Sequence, residues 1–403
     1  MNLPPEALRR LAAARRWVAI AGLGAALLVP RSPGRDRLDW RVQLGRFQPR
    51  DAGGRLIQPL DEGGRIELTL EPRLQDLAER LLARADAARG AAVMISVDDG
   101  RVLALAGRSR AEPERESLPL AIGDWAPAAS VFKLATAAAL LERGVPAGER
   151  VCYHGGLHSV EADNLAGDAR DRNCRTFAYG LARSQNAIIG RLAHDHLDGE
   201  TLERSARALG FGAAPAFELQ PPPAKLTIPP EPLGFARAAA GFARNTLSPL
   251  AGALVAATIA RGGEAPPVRL VERVIDRDGR SLRPEAAPAR RVLAEPIART
   301  LASMMIGTTE SGTARAAFHD RRTHRRLLGV TVAGKTGSLN GADPFTAYSW
   351  FVGFAPAERP EVAFAVLLGH DEEGRVRAAE IARDLVAGWL AAPRRQLLVA
   401  AQR

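Results

Sequence analysis

The chain has 403 residues, 46% of them hydrophobic, which is enough to bury a large core in one large domain with appendages or in two or three smaller ones. Its net charge of +10 points to an anionic neighbour. The arginines never run longer than pairs, and neither a zinc finger, an RNA-recognition signature nor basic-aromatic interleaving is present, so nucleic acid is set aside in favour of an anionic membrane surface or cell wall.

The N-terminus carries Arg9, Arg10, Arg15 and Arg16, then an uncharged stretch from Trp17 to Pro30. A membrane span needs roughly 20 apolar residues, so this stretch is short, but it suffices for a signal h-region. With "LLVP" trailing the only small-residue pair, an uncleaved anchor fits better than a cleaved signal. Arg31, Arg35 and Arg37 on the far side blur the positive-inside count. The expected organisation is a cytoplasmic tail over 1–16, a signal anchor over 17–30, and a polar juxtamembrane linker with a short hairpin over 31–64. A globular domain over 65–392 and a tail over 393–403 follow.

Within the domain, "RIELTL" alternates like a strand, and "EPRLQDLAERLLARADAARG" has helical periodicity ending at a Gly stop. "AAVMISV" and "RVLALAG" flank an Asp-Gly turn, a strong hairpin signal. A mostly helical stretch runs from Ser130 to about Arg261. It includes "SPLAGALVAATIARGG", with Ser248 as N-cap, Pro249 at the first helical position and a Gly pair at the stop. "VRLVERVIDRDGR" reads as an edge hairpin, and Pro296 opens another helix in "EPIARTLASMMIGTTE". Three strands ("GVTVAGKTGS", "TAYSWFVGFAPA", "EVAFAVLLG") and a helix, "RAAEIARDLVAGWLAA", close the chain. Two strands, a helical insert, three strands and a terminal helix predict an α+β fold. Its antiparallel five-stranded sheet would be flanked by helices, with an all-helical lobe and a single N-terminal anchor helix before it.

Cys152 and Cys174 bracket a loop rich in Gly, Asp and Asn; a disulfide and two free buried thiols both fit. His154 and His158, and His194 and His196, lack third and fourth ligands at useful spacing, so no metal is expected.

The chain holds only three lysines, Lys133, Lys225 and Lys335. Arg cannot lose its proton in a protein, whereas a desolvated Lys can, so a retained Lys is a candidate for chemistry beyond charge. Lys225 sits in a loop, but Lys133 and Lys335 sit in motifs: Ser130-Val-Phe-Lys133, Ser184-Gln-Asn186 and Lys335-Thr-Gly-Ser338. Each motif alone occurs often by chance. Together, in this order and on these elements, they form the set of penicillin-binding proteins and class A β-lactamases. Over about residues 65 to 390 the sequence resembles the transpeptidase domain of penicillin-binding proteins.

Helix positions i and i+3 share a face, so Lys133 reaches Ser130 and takes its proton, provided that burial, the helix dipole and a second cation depress its basicity by roughly 3 pKa units. The resemblance implies that Ser184 relays a proton to the leaving amine and that Asn186 binds Lys133 and the substrate amide. Lys335, Thr336 and Gly337 line an edge where substrate adds as a strand, with Lys335 and Thr336 holding a carboxylate. The backbone N–H groups of Ser130 and Ser338 form the oxyanion hole. Ser338 stands where the family often has Thr, and "PAAS" replaces a common Pro-Gly-Ser.

The implied activity is a peptidoglycan D,D-transpeptidase at the bacterial inner membrane, its domain on the extracytoplasmic face. It needs no cofactor, acts on stem peptides, and takes β-lactams as covalent inhibitors. The alternatives are a D,D-carboxypeptidase, a class D-like β-lactamase with a carboxylated Lys133, and a non-catalytic sensor or scaffold. A class A β-lactamase is disfavoured because "EADN", from Glu161 to Asn164, lies upstream of Ser184.

Overall fold

The computed structural model describes residues 40–112, 117–156, 159–342, 345–372 and 376–391. The expected tail over 1–16, anchor over 17–30 and C-terminal tail over 393–403 lie outside these residues, and among the described residues no helix is long and apolar enough to cross a membrane.

Five antiparallel strands form the central sheet: β1 (Arg89–Ser96), β2 (Val102–Ser109), β3 (Ala333–Ala342), β4 (Phe345–Ala355) and β5 (Val362–His370). Their spatial order is β3-β4-β5-β1-β2, so the N-terminal hairpin docks on the last strand, with Val362 opposite Ser96. β5 is buried along its whole length and serves two cores by alternation. Phe364, Val366 and Leu368 join the cluster beneath α1 (Pro72–Ala85) and the C-terminal helix, Ala378–Ala391, while Ala363, Ala365 and Leu367 join the cluster facing the helical lobe. That is why "EVAFAVLLG" reads as apolar throughout rather than alternating.

The lobe contains α2 (Lys133–Glu142), α3 (Asn186–His196), α4 (Pro249–Ala260) and α5 (Glu295–Glu310). α4 is apolar on every side because it lies between sheet and lobe. It starts as expected, with Ser248 Oγ accepting from Ala251 N at 3.1 Å. Gly252 lets it approach the sheet: a Cβ there would lie 3.2 Å from Ala365 Cβ and 3.3 Å from Val352 Cγ2.

Two expectations change. α1 ends at Asp86, in a left-handed conformation (φ 48°), not at the Gly stop; Gly90 lies inside β1, pressed between Leu368 and Leu82. The expected linker, moreover, is folded from Trp40 onward. Arg50–Asp51, Leu56–Pro59 and Gly64–Leu68 form a second antiparallel sheet with Val271–Asp276 and Ser281–Leu282, the hairpin expected at the edge. Ile66 faces Val274, and Glu67, 4% exposed, is held by Arg55, Arg65 and Arg273 at 3.2, 3.0 and 2.7 Å. The alternation of "RIELTL" and the short hairpin before it show as single strands, but their pairing does not, because the partner is about two hundred residues away.

In the lobe, Arg150–Tyr153 pairs with Asn173–Thr176, and the opposed residues Cys152 and Cys174 form a disulfide. Closing a loop with a sequence separation of 22 limits the unfolded chain. Replacing both cysteines by serine should therefore lower the unfolding free energy by about 3 kcal/mol in a urea titration, and the intact mass of the unsubstituted chain should rise by two hydrogen atoms on reduction.

Candidate active site

The chain reaches Ser130 through a clamped approach. Ala128 N donates to Asn245 O (2.7 Å), Leu247 N donates to Ala126 O (3.3 Å), and the indole Nε1 of Trp350 donates to Pro127 O (2.9 Å). Ala129 is then forced into the left-handed region (φ 49°), at a cost of about 1–2 kcal/mol for a residue with a Cβ. Ser130 was expected to open an α-helix. It lies instead in one 3₁₀ turn, Ala129–Phe132, which runs directly into α2. A 3₁₀ turn eclipses side chains three apart, which carries Lys133 beneath Ser130: Nζ and Oγ are 2.7 Å apart.

Lys133 is wholly buried in the apolar N-terminus of α2. Its Nζ also lies 2.8 Å from Asn186 Oδ1 and 2.7 Å from Ala240 O. Both of these are obligate acceptors. Nζ thus donates to Ser130 Oγ, Asn186 Oδ1 and Ala240 O; once the amine loses a proton, donation to Asn186 and Ala240 leaves its lone pair facing the Ser130 hydroxyl. The electrostatics agree. Burial first, and the charge of Lys335 second, drive Lys133 well below the ordinary lysine range. Thr136 Oγ1 donates to Ala239 O (2.7 Å), so α2 grips both carbonyls at this bend. Gly241 follows with φ 90°; a Cβ there would sit 2.3 Å from Ala129 O, so only glycine lets this chain pass behind the nucleophile.

Ser184 and Asn186 occupy a junction between helices. Ser184 N donates to Leu181 O (3.2 Å) and Gln185 N to Gly180 O (2.8 Å), the paired bonds of a Schellman cap on Phe177–Ala182. Glycine usually fills the left-handed position of that motif, but here it is Ser184, at φ 55°. Gln185 caps α3 by accepting from Ala187 N, so Asn186 is the first residue of α3 and is buried against Lys133. An ordinary helix cap and a chemical motif therefore coincide in the same three residues.

Lys335 projects from β3, the edge strand, and is also wholly buried. Its Nζ donates to Ser184 Oγ (3.0 Å) and to Thr336 O (2.8 Å), and burial lowers its pKa to about 7. Ser130, Ser184, Asn186, Thr336 and Ser338 all line one groove of about 770 Å³. Gly337 is also called for by packing. A Cβ there would meet Trp350 and Val131 at 3.1 and 3.2 Å, so it is the turn carrying Ser130 that requires the space. Trp125 lies away from this lining; it packs on Tyr348 and donates to Leu120 O (2.8 Å).

Thr313 was not foreseen: its Oγ1 lies 2.5 Å from Thr336 Oγ1, and it also lines the groove. Its sequence context, Ser-Gly-Thr after a helix, looks like a plain helix stop. Away from the groove, His154 Nδ1 meets Asp171 (2.7 Å), which also pairs with Arg191 (2.6 Å), and His154, Asp168 and Asp171 lie close together. His158 lies outside the described residues, and His194 and His196 are exposed at the end of α3.

The two buried lysines carry a pH signature. Each is lowered in the folded chain, so between its folded pKa and the ordinary value near 10.4 the unfolded chain binds the extra proton. Stability then rises with pH across that window, and the penalty of burying the charge is complete only below the folded pKa. Unfolding free energy in urea should climb from pH 7 to 10, and Lys335→Met should flatten part of that climb. An unchanged slope in the variant would contradict burial as the cause.

A model of the penicillin-binding protein transpeptidase domain matches residues 90–387. The chain is similar to the peptidoglycan D,D-transpeptidase PbpA of Mycobacterium tuberculosis, 26% identical over 367 residues that span 80% of this chain and 72% of that protein. To PbpA of Mycolicibacterium smegmatis it is 26% identical over 375 residues, 81% of this chain and 73% of the relative. Among solved structures, penicillin-binding protein A from M. tuberculosis in its imipenem acyl-enzyme complex aligns with a TM-score of 0.67 at 25% identity, covering 81% of this chain and 80% of that one. With its three motifs gathered at one groove and that domain spanning most of its length, this chain belongs to the penicillin-binding protein transpeptidase family.

Proposed function

We propose that the protein is a peptidoglycan D,D-transpeptidase working through an acyl-Ser130 intermediate, with release of D-Ala and covalent inhibition by β-lactams. The observation that carries this reading is the buried amine of Lys133 set 2.7 Å from the Ser130 hydroxyl, with two carbonyl acceptors on its other sides. Ser130 passes its proton to Lys133 as Oγ attacks the carbonyl of a D-Ala-D-Ala terminus. The backbone N–H groups of Ser130 and Ser338 take the developing oxyanion. Ser184, bonded to Lys335, relays a proton to the departing D-Ala nitrogen as the peptide bond breaks. An amine from a second stem then attacks the ester, returns a proton to the site and frees Ser130. Lys335 and Thr336 hold the terminal carboxylate.

The same packing speaks against a carboxylated lysine. Adding CO₂ to Nζ would break the bond to Asn186 or to Ala240 O, both in the wholly buried surroundings of Lys133. On this reading residues 17–30 anchor the chain in the inner membrane and the domain over 65–392, extended by the folded segment from Trp40, works on the extracytoplasmic face. Its partners are stem peptides and β-lactams, and it needs neither metal nor nucleic acid.

A fluorescent penicillin should leave a persistent adduct on Ser130, absent in Ser130→Ala, and a stem-peptide donor with an amine acceptor should give a cross-linked product. Hydrolysed product alone identifies a carboxypeptidase, rapid loss of label a β-lactamase, and label without turnover a sensor. The labelling rate should rise with pH on a limb set by Lys133, below the ordinary lysine range. Lys133→Arg should lower the rate by about a hundredfold to ten-thousandfold and abolish that limb. Ser184→Gly offers a sharper separation. Glycine suits φ 55°, so stability should hold or rise by up to about 1 kcal/mol while cross-linking falls.

A further inference from the structure

Thr313 is built into the groove from three sides. Gly312 lies so close to Ala182 O that a Cβ would sit 2.2 Å away, and Thr313 N donates to Ala182 O at 3.2 Å. The guanidinium of Arg183 donates from Nη1 to Ser311 O (2.9 Å). On the other side Thr309 Oγ1 donates to Val332 O (2.5 Å), tying the end of α5 to the approach to β3. The segment after α5 is thus lashed both to the turn carrying Ser184 and to the strand carrying Lys335. The hydroxyl of Thr313, an exposed residue of this segment, lies 2.5 Å from that of Thr336.

Each threonine hydroxyl has one proton, and the pair shares one hydrogen bond. If Thr336 donates to Thr313, it has nothing left for a carboxylate, which only accepts. If Thr313 donates to Thr336, the Thr336 proton is free to turn into the groove. An arriving carboxylate therefore selects the second arrangement, and a donated bond into Thr336 Oγ1 strengthens the bond that Thr336 gives. We propose that Thr313 is a positioning residue for the substrate's terminal carboxylate, acting through Thr336 and raising the preference for a free carboxylate over a neutral terminus. The proposal rests on the transpeptidase reading above.

The test uses the full chain and two D-alanyl thioesters, one ending in a thioglycolate carboxylate and the other in the matching primary amide, with thiol release as the signal. Thr313→Val should raise KM for the carboxylate substrate about tenfold with kcat changed by less than about twofold, because the lost interaction serves binding and not the chemical step. Preference for carboxylate over amide should fall by the same factor, and Thr313→Ser, which keeps the hydroxyl, should restore it. Labelling by fluorescent penicillin runs in parallel. A labelled wild type whose Thr313→Val variant keeps its preference, or loses kcat equally on both substrates, overturns the role of Thr313 alone. A wild type that neither takes label nor releases thiol overturns the transpeptidase reading with it.

Discussion

The site depends on an amine whose hold on its proton is weakened by burial and by a second cation beside it. Lys133 sits among the alanines and leucines of α2, where an ammonium ion is poorly solvated, and its Nζ meets two carbonyl oxygens and one hydroxyl. In the deprotonated amine the carbonyls take both N–H groups, so the lone pair has one target. Lys335, buried close by, adds repulsion against a second charge. Arginine in the same place would remain charged and could not accept the proton, which gives a physical reason for one lysine to persist in so arginine-rich a chain.

Holding that geometry requires strain at two points. Ala129 and Ser184, each next to or within a reactive motif, adopt left-handed conformations that residues with a Cβ rarely take. Each costs about 1–2 kcal/mol, an amount the surrounding packing offsets by fixing the backbone from outside. Trp350 and Asn245 hold the approach to Ser130, while Gly241 and Gly337 remove the side chains that would push its turn away. The Schellman bonds of Phe177–Ala182 hold Ser184. The central sheet positions Lys335 because β3 pairs with β4 along its length, while its other edge stays open to the groove.

Sequence patterns disclosed a good part of this. The Asp-Gly hairpin, the Ser248 cap and the three closing strands were legible because each is a local rule: a turn, a capping hydroxyl, an apolar run. The three motifs were legible as a set because their order and elements agreed. Their details were less so. The 3₁₀ turn at Ser130 and the left-handed Ser184 follow from tertiary clamps that no short stretch encodes. Asp86 ends α1 because the chain must enter β1 with Gly90 beneath Leu368, a demand made by a strand almost three hundred residues later. The strands of the second sheet were legible singly, in a short hairpin, "RIELTL" and an edge hairpin, but their joining was not, because Val271–Asp276 is remote in sequence. Thr313 gave no signal, since a Gly-Thr pair after a helix has an ordinary use and only its meeting with Thr336 distinguishes it.

Because the chain has only three lysines, the protonation of Lys133 can be read directly. Lysine carrying ¹³C at Cε gives three signals, assignable by substituting each lysine in turn, and their shifts follow the charge on Nζ as pH is varied. The account predicts that the Lys133 signal changes from ammonium to neutral amine well below the usual lysine range. A Lys133 signal that titrates near the free value of about 10.4 would mean that an ammonium ion faces Ser130, and the proposed mechanism would have no base.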